Sequence, residues 1–300
     1  MQPDASPARA QVLLAAVCFG TSGTAQALGP GGAPTSVGAV RIVVGALLLW
    51  LIARALGGSG GMAPTGLAWL AGVGVAAYQL AFFAAVDQTG VAVGTVVAIG
   101  SGPAAAGLLS RIVNGEPLTA RWAAATGLAC AGIVLLGAGG GSASVDPAGV
   151  ALAVAAGLGY ASYTVLAKRM IDRGAAPERV MSAAFGRGAI LLLPVPLVAG
   201  LGWLGSPEGV ALALYLGAVP TALAYLLFAR GLRRLSAGET ATLTLAEPLT
   251  AVMLGALVLG ERPGTVAIAG AGLVLAGLLV LAAPRGRPTP RPALAAEAQG

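Results

Sequence analysis

Three ionisable side chains lie deep within apolar stretches of the sequence: Arg41, Arg187 and Glu247. A charge at the centre of a bilayer costs about 2.5–3.5 kcal/mol even on insertion scales, so such residues often mark ligand or ion pathways. A guanidinium can hold a carboxylate or phosphate through two hydrogen bonds, and a buried glutamate can carry a coupling proton. Each residue also has a structural interpretation. The arginines can extend their side chains to reach water or can form an internal ion pair, for instance with Glu247. Glu247 can accept hydrogen bonds from backbone N–H groups beside Pro248.

Aromatic and amide side chains form a second group of candidates. Tyr160 and Tyr163 are three residues apart and share one face of a helix, whereas Tyr78 and Gln79 lie in the middle of another apolar stretch. Each of them alone is equally well explained by helix packing, but together they can line a binding site. The candidates of this group are Phe19, Gln26, Tyr78, Gln79, Tyr160, Tyr163 and Tyr225.

The elements that position these residues are membrane-spanning helices. Hydrophobic residues make up 57% of the chain, charged residues 9%, and the mean hydropathy is +0.88. A spanning helix needs about 20 apolar residues. The sequence therefore predicts an all-α integral membrane protein with ten transmembrane segments, although nine remain an alternative. The segments are 10–28, 35–54, 66–86, 91–111, 121–139, 147–167, 180–203, 207–229, 238–259 and 264–283.

An internal repeat divides these segments into two groups of five. Aligning the chain with itself at an offset of 145 residues gives 13 identities over the 43 positions from Thr95 to Gly137. Pro103 matches Pro248, and Glu116 matches Glu261, each preceded by glycine. Because five is odd, the second half must insert upside down relative to the first, so we predict two inverted five-helix repeats whose interface holds a binding site.

The predicted organisation is an N-terminal segment 1–9, a first repeat 10–139, an outer linker 140–146, a second repeat 147–283 and a disordered, basic, proline-rich tail 284–300. With both termini inside the cell, 14 of the 17 basic residues fall on the cytoplasmic side. The excess charge of +6 is confined to short loops, so it indicates orientation and contact with anionic lipid headgroups, and no nucleic acid partner is predicted.

Prolines and carboxylates of the repeat have predicted structural roles. Pro103 and Pro248 should bend their helices and are candidate hinges. Glu116 and Glu261 precede or adjoin a proline, which favours capping of the helix that follows each of them. Trp203 lies near the end of a predicted span and is interpreted as an anchor at the membrane interface.

Absences from the sequence narrow the class. The sequence has no histidine, and its one lysine, Lys168, is not part of a phosphate-binding loop, so we predict no metal site, no cofactor and no ATPase activity. Gly100-Ser101-Gly102 superficially matches an intramembrane serine protease, but the base that such chemistry requires is missing. An intramembrane enzyme is therefore the least favoured class. Without ATPase activity, any movement of a substrate must use an ion gradient or the gradient of the substrate itself.

The region Thr242 to Glu261 resembles the Glu-Pro and Gly-Glu signature of the ninth helix in the EamA family, within the drug/metabolite transporter superfamily. Pro103 to Glu116 resembles the corresponding motif of the fourth helix, Phe19-Gly20 that of the first, and residues 159–163 that of the sixth; Arg41 resembles the arginine near the start of the second. The first helix departs from the family at Phe19, where tryptophan is common, and at Gln26-Ala27, where lysine often occurs. The resemblance implies ten helices in two inverted halves, a cavity formed by helices one to four and six to nine, and a role in moving small metabolites.

Together these observations predict a secondary transporter in the bacterial inner membrane that exports amino acids or related metabolites by alternating access, driven by protons or by the substrate gradient. Export is implied by the family resemblance alone. The alternative is a non-transporting scaffold or regulatory partner built on the same bundle. The substrate, the coupling ion and the oligomeric state are not predicted.

Overall fold

A computed structural model describes residues 5–56, 61–138 and 146–283. The predicted linker 140–146 lies outside these ranges except for Asp146, as do the predicted tail 284–300 and residues 1–4 of the predicted N-terminal segment. Within the described ranges the secondary structure is helical, without a β-strand; a single isolated bridge joins Gly61 and Ala175.

The helices follow the apolar stretches of the sequence closely. They are α1 (Ser6–Leu28), α2 (Pro34–Ala55), α3 (Thr65–Val113), α4 (Ala120–Ala138), α5 (Pro147–Asp172), α6 (Pro177–Leu192), α7 (Pro194–Ala199), α8 (Pro207–Gly217), α9 (Ala224–Leu232), α10 (Ala237–Leu243), α11 (Ala246–Val258) and α12 (Thr265–Ala282). A 3₁₀ turn at Gly202–Gly205 precedes α8, and a π-helical turn at Ala218–Leu223 joins α8 to α9. In the described part of the chain, nine helical runs are long and apolar enough to cross a bilayer.

The run α3 contains a reversal of the chain at Gly90. Its 49 residues would extend about 74 Å as one straight helix, more than twice the thickness of a hydrocarbon core. Gly90 has φ 79° and ψ 162°, which are not helical angles. A Cβ atom on Gly94 would lie 3.0 Å from a methyl group of Val86, whereas residues eight apart along a helix are separated by about 12 Å. The segments before and after Gly90 therefore pack against each other.

Three of the predicted spans are interrupted. The predicted span 180–203 divides into α6 and α7 at Leu193-Pro194 and ends before Trp203. The predicted span 207–229 contains the π-helical turn, whose Pro220 lacks the N–H group that a regular helix would use. The predicted span 238–259 divides into α10 and α11, immediately before Glu247 and Pro248. The helical assignment continues through Pro103.

The interpretation of Trp203 as an interface anchor is wrong. Its side chain is 8% exposed, and its indole N–H donates a hydrogen bond to Ser36 Oγ over 3.0 Å. Ser36 Oγ in turn donates to the carbonyl of Gly200 over 2.7 Å. Because the indole packs over Gly32 and binds the first turn of α2, it belongs to a contact between helices.

The helices before residue 139 pack mainly on the helices after residue 146. α1 contacts α9 and α11, α2 contacts α6 and α8, α3 contacts α5 and α6, and α4 contacts α12. The outer surface is apolar: Ile112, Val198 and Leu257 are each more than three-quarters exposed. Such a surface suits lipid, in which close packing of small residues joins the helices.

Glycines allow the closest of these contacts, between α4 and α12. A Cβ atom on Gly270 would lie 2.7 Å from the backbone of α4, and a Cβ atom on Gly132 or Gly277 would lie 2.6 Å from backbone of the opposite helix. In contrast, a Cβ atom on Gly127 or Gly272 would meet nothing within 4 Å. The glycine content of the chain therefore serves packing at some positions and not at others.

Candidate functional site

A cavity of about 210 Å³ lies inside the bundle, between helices that precede residue 139 and helices that follow residue 146. This volume is below the range of about 300–1,000 Å³ that is typical of sites for drug-sized ligands, so it suits a smaller molecule. Fourteen residues line it: Phe19, Ser22, Gln26, Gly38, Arg41, Tyr78, Phe82, Phe83, Thr95, Ile99, Tyr160, Tyr225, Thr244 and Glu247.

Seven of the ten predicted site residues lie on this cavity: Phe19, Gln26, Arg41, Tyr78, Tyr160, Tyr225 and Glu247. The helices that carry them come from both halves of the chain, so the cavity exists only where the halves meet. Residues about 200 positions apart in sequence, such as Arg41 and Glu247, thereby share one small space.

Gln79 and Tyr163 support the cavity from behind its lining. Gln79 is 3% exposed, and its Oε1 accepts a hydrogen bond from Nη2 of Arg41 over 3.3 Å. Tyr163 is 1% exposed, and its hydroxyl is 2.9 Å from the hydroxyl of Tyr225. Both residues therefore orient a side chain that reaches the cavity.

Arg187 does not line the cavity. Its guanidinium lies 5.6 Å from the centroid of the Trp69 ring, and its Nη1 donates to the carbonyl of Ala183 over 3.0 Å. These contacts place it at the contact of α6 with α3, where the chain uses it in packing and in a cation–π interaction.

Arg41 and Glu247 form no ion pair in this conformation. Among the described residues, salt bridges closer than 4.0 Å join only Arg9 with Glu239 and Lys168 with Asp172. No hydrogen bond reaches the Glu247 carboxylate from any described residue, including those around Pro248. Both charged groups therefore keep hydrogen-bonding capacity for a molecule in the cavity.

Aromatic residues make up six of the other twelve residues of the wall. Tyr225 packs against Phe19 with 4.9 Å between ring centroids and against Phe185 with 4.1 Å. Tyr160 lies 6.3 Å from Tyr78, and its hydroxyl is 3.0 Å from Thr244 Oγ1. A cavity with this wall offers apolar surface to a ligand while the two charged groups offer polar contacts.

Sequence reasoning missed several lining residues, some of which had a recognisable signal. Phe82 is four residues after Tyr78, the spacing of one helical face, and the two rings stack with centroids 5.8 Å apart. Thr244 is three residues before Glu247, a spacing that would place both on one face of a regular helix, and both line the cavity although the helix is interrupted between them. Ser22, Gly38, Phe83, Thr95 and Ile99 gave no such signal.

The predicted role of Glu116 can also be compared with the structure. Glu116 does not cap the helix that follows it: the backbone N–H of Trp122, in α4, donates to Oγ1 of Thr119, whereas Glu116 accepts from the N–H of Ala237 at the start of α10. Cys18 and Cys130 are both free thiols, and Cys130 donates to the carbonyl of Gly100 over 3.1 Å.

A bundle of apolar helices around a small, partly charged internal cavity is the architecture of a membrane transporter. The model of the EamA-like transporter family matches residues 8–138 and residues 147–283, and the chain belongs to this family. It is 42% identical over 285 residues to the uncharacterized transporter YwfM of Bacillus subtilis (strain 168), covering 93% of this chain and 95% of that protein.

Two further similarities are more distant. The chain is 30% identical over 177 residues to a probable terminal-alkyne amino-acid exporter of Streptantibioticus cattleyicolor, covering 58% of each protein. A solved crystal structure matches the fold with a TM-score of 0.80 at 21% sequence identity, covering 92% of this chain and 96% of that chain. The fold is therefore one that occurs in a protein of quite different sequence.

Proposed function

We propose that this transporter is a secondary exporter of amino acids or related small metabolites that works by alternating access, and that it has no enzymatic activity. One observation carries the proposal: Arg41 and Glu247, from opposite halves of the chain, line one small cavity without pairing with each other. Charged groups without a counter-ion inside a membrane protein are costly unless a ligand, an ion or water uses them. Similarity to the probable terminal-alkyne amino-acid exporter of Streptantibioticus cattleyicolor supports an amino acid as the substrate.

Each charged group has its own proposed role. Arg41 binds the carboxylate of the substrate, since guanidinium and carboxylate match in geometry. Glu247 carries the coupling proton, because a single carboxyl group can bind a proton with the cavity open to one side and release it on the other. The aromatic residues Tyr78, Tyr160 and Tyr225 contact the apolar part of the substrate, and Phe19 and Gln26 complete the wall, with Gln79 and Tyr163 behind it.

We also propose that the chain spans the membrane ten times, as two inverted five-helix repeats covering residues 10–139 and 147–283. The reversal at Gly90 supports division of α3 into two spans. The turns that end the fourth and ninth spans support the repeat, because Gly115 and Gly260 have nearly equal positive φ angles of 70° and 72°.

Both termini are proposed to lie in the cytoplasm, with the protein in the inner membrane. Basic residues support this orientation because they collect at one end of the bundle. There Arg9, Arg121 and Arg234 line one pocket, and Arg230 and Arg233 line the next. Epitope tags at both termini and in the connector between α4 and α5 test it: two accessible termini in inside-out vesicles are expected, and a cytoplasmic connector would contradict the proposal.

The transport function is tested in two stages. Metabolite profiles of the medium are compared between cells that overexpress the protein and cells that lack it, and compounds enriched by overexpression are expected to include amino acids. The purified protein is then reconstituted into liposomes, and the liposomes are loaded with each radiolabelled compound. Saturable movement above that of empty liposomes is expected, whereas no movement together with copurification of another membrane protein would favour a scaffold.

A further inference from the structure

The turn that follows α3 fastens the first half of the chain to the second at one end of the bundle. Oε2 of Glu116 accepts a hydrogen bond from the backbone N–H of Ala237, in α10, over 2.9 Å. Nδ2 of Asn114 donates to the carbonyl of Val165, in α5, over 3.3 Å, and Arg169 donates to the carbonyl of Val113. These bonds join the end of α3 to α5 and to the start of α10, both in the second half of the chain.

Ser110 and Asn114 hold the Glu116 carboxylate in place for this contact. Oγ of Ser110 donates to Oε2 of Glu116 over 2.7 Å, and Nδ2 of Asn114 donates to Oγ of Ser110 over 3.1 Å. Hydrogen bonds to a charged oxygen are about twice as strong as those between neutral groups. The group formed by Ser110, Asn114 and Glu116, called the latch below, therefore stabilises the contact with Ala237.

The repeat places a counterpart of this turn after α11. The backbone is the same, because the N–H of Glu116 bonds to the carbonyl of Ser110 over 3.4 Å and the N–H of Glu261 bonds to the carbonyl of Gly255 over 3.0 Å. At the offset of 145 residues, Glu261 corresponds to Glu116, Gly255 to Ser110 and Leu259 to Asn114.

The side-chain partners of the second turn are missing. Gly255 and Leu259 cannot supply the two donors that Ser110 and Asn114 supply. Within the described residues Glu261 makes no side-chain hydrogen bond or ion pair, and it is exposed. The two turns therefore share a backbone and a carboxylate but not a latch.

The two turns lie at opposite ends of the bundle. Arg9 of α1 pairs with Glu239 of α10 at the Glu116 end. Further along both segments, Gly20 of α1 contacts Thr250 of α11. α1 and the α10–α11 segment therefore run in the same direction, and Glu261 follows α11 at the far end.

The cavity is closed toward the Glu116 end. Ala106, Ala161 and Ala241, each 0% exposed, pack together on the Glu116 side of Tyr160 and Thr244, with Ala161 next to Tyr160 and Ala241 three residues before Thr244. Toward the far end, the cavity reaches Gln26, two residues before α1 ends, and Gly38, four residues after α2 begins.

We infer that Glu116, positioned by Ser110 and Asn114, holds the Glu116 end closed, and that the missing partners of Glu261 make this closed state the resting conformation. The inference rests on the proposed alternating access and adds which conformation prevails without substrate. The substrate cavity at rest opens on the side of Glu261, and opening toward Glu116 requires breaking the bond to Ala237.

Spin labels at Leu118→Cys and Arg173→Cys test the inference, because these exposed positions lie in different halves at the Glu116 end. Cys18→Ala and Cys130→Ser provide a background without other thiols. Pulsed electron–electron distance measurements are made on purified protein in nanodiscs without added substrate. The parent is expected to show mainly one short distance, and Glu116→Ala should raise the ratio of long to short distances about tenfold or more.

The chain offers its own matched variants. Ser110→Gly with Asn114→Leu copies the second turn into the first and should produce the same shift while keeping the Glu116 carboxylate. Glu116→Gln, which preserves shape and one acceptor oxygen, should give a smaller shift and guards against misfolding. Glu261→Ala is the control and should leave the distances unchanged.

The reverse exchange probes the far end. Gly255→Ser with Leu259→Asn supplies the missing partners, and the added side chain would meet only the flexible end of Glu261. Labels at Val91→Cys and Arg262→Cys should then show a larger population of short distances.

Distances that do not respond to Glu116→Ala or to Ser110→Gly with Asn114→Leu would overturn the inference, even if the parent transports substrate in liposomes. If the distances respond but the parent moves no substrate, the proposed transport function is wrong, whereas the role of the latch in holding the Glu116 end closed is confirmed.

Discussion

Nη2 of Arg41 donates a hydrogen bond to Oε1 of Gln79 over 3.3 Å, from a residue that lines the cavity to one that is 3% exposed behind it. The glutamine fits there because Gly38 has no side chain; a Cβ atom on Gly38 would lie 2.0 Å from Nε2 of Gln79. The bond fixes one edge of the guanidinium, and Arg41 makes no other side-chain hydrogen bond among the described residues, so its remaining donors are free to bind a ligand. We therefore expect Gln79 to act by orienting Arg41 from behind the cavity wall.

Arg41→Lys should weaken substrate binding, because an ammonium group cannot reproduce the paired hydrogen bonds of a guanidinium. Loss of one hydrogen bond to a charged group, worth about 1.5–3 kcal/mol, should raise KM about tenfold or more with little change in the maximal rate. The measurement is concentration-dependent uptake of the amino acid identified in the export screen. Arg187→Lys is the matched control, since Arg187 lies off the cavity, and an equal rise in KM for both variants would contradict the role of Arg41.

Gln79→Met should raise KM by a smaller factor, because the variant removes only the bond that orients Arg41. Its effect should vanish in an Arg41→Lys background, where the bond is already lost. Such coupling between neighbouring residues is measured by a double-mutant cycle on KM. Additive effects of the two substitutions would show that Gln79 acts independently of Arg41.

Glu247→Gln should abolish the response of transport to a pH gradient while preserving substrate exchange. Under the proposed coupling, liposomes with a lumen more acidic than the medium accumulate substrate faster, because protons leave as substrate enters. The variant cannot carry a proton, so its uptake should be the same with and without the gradient. Glu208→Gln, at an exposed carboxylate, should keep the full response. Equal pH dependence of Glu247→Gln and the parent would remove Glu247 from the coupling step.

Gly270→Ala should destabilise the protein and Gly272→Ala should not, although the two glycines lie two residues apart on α12. The added methyl group at position 270 would lie 2.7 Å from the backbone of α4, whereas that at position 272 would meet nothing within 4 Å. Forcing an extra methyl group into a packed contact costs about 1–3 kcal/mol. Thermal unfolding in detergent, followed by tryptophan fluorescence, should show a lower midpoint for Gly270→Ala alone; equal midpoints would mean that the α4–α12 contact yields easily.

Apolar length was enough to predict where the helical runs lie, and seven of the fourteen residues that line the cavity were predicted from the sequence. Residues on the cavity were predictable when polarity made them conspicuous in lipid, as for Arg41 and Glu247. Helical spacing linked Tyr160 with Tyr163, but only Tyr160 lines the cavity and Tyr163 lies behind it. Arg187 was equally conspicuous, but its guanidinium packs over Trp69. This contact could not be predicted, because the sequence does not reveal which face of α6 meets α3. The sequence thus indicated which charged residues are costly to bury, but not whether their side chains face the cavity or another helix.

Contacts between distant elements could not be predicted. Glu116 was expected to cap the helix that follows it, but it accepts a hydrogen bond from Ala237, 121 residues away. Nothing in the local sequence distinguishes these two possible partners. Trp203 was assigned to the interface from its position near a span end, yet the turn before α8 brings its indole back over α2. Both errors arise because a polar group in lipid binds the nearest available donor or acceptor in space, whichever part of the sequence supplies it.

Ser36→Ala should destabilise the protein by about 1–3 kcal/mol, because it leaves the buried N–H of Trp203 without an acceptor. Trp203→Phe removes that donor as well, so adding it to Ser36→Ala should cost less than the sum of the two single substitutions. The fraction of protein that stays monodisperse after heating in detergent, measured by size exclusion, gives the ranking. Trp50→Phe, at a ring that is 46% exposed, should behave like the parent. If Ser36→Ala also behaves like the parent, the hydrogen bond between Ser36 and Trp203 contributes nothing to the attachment of the turn before α8.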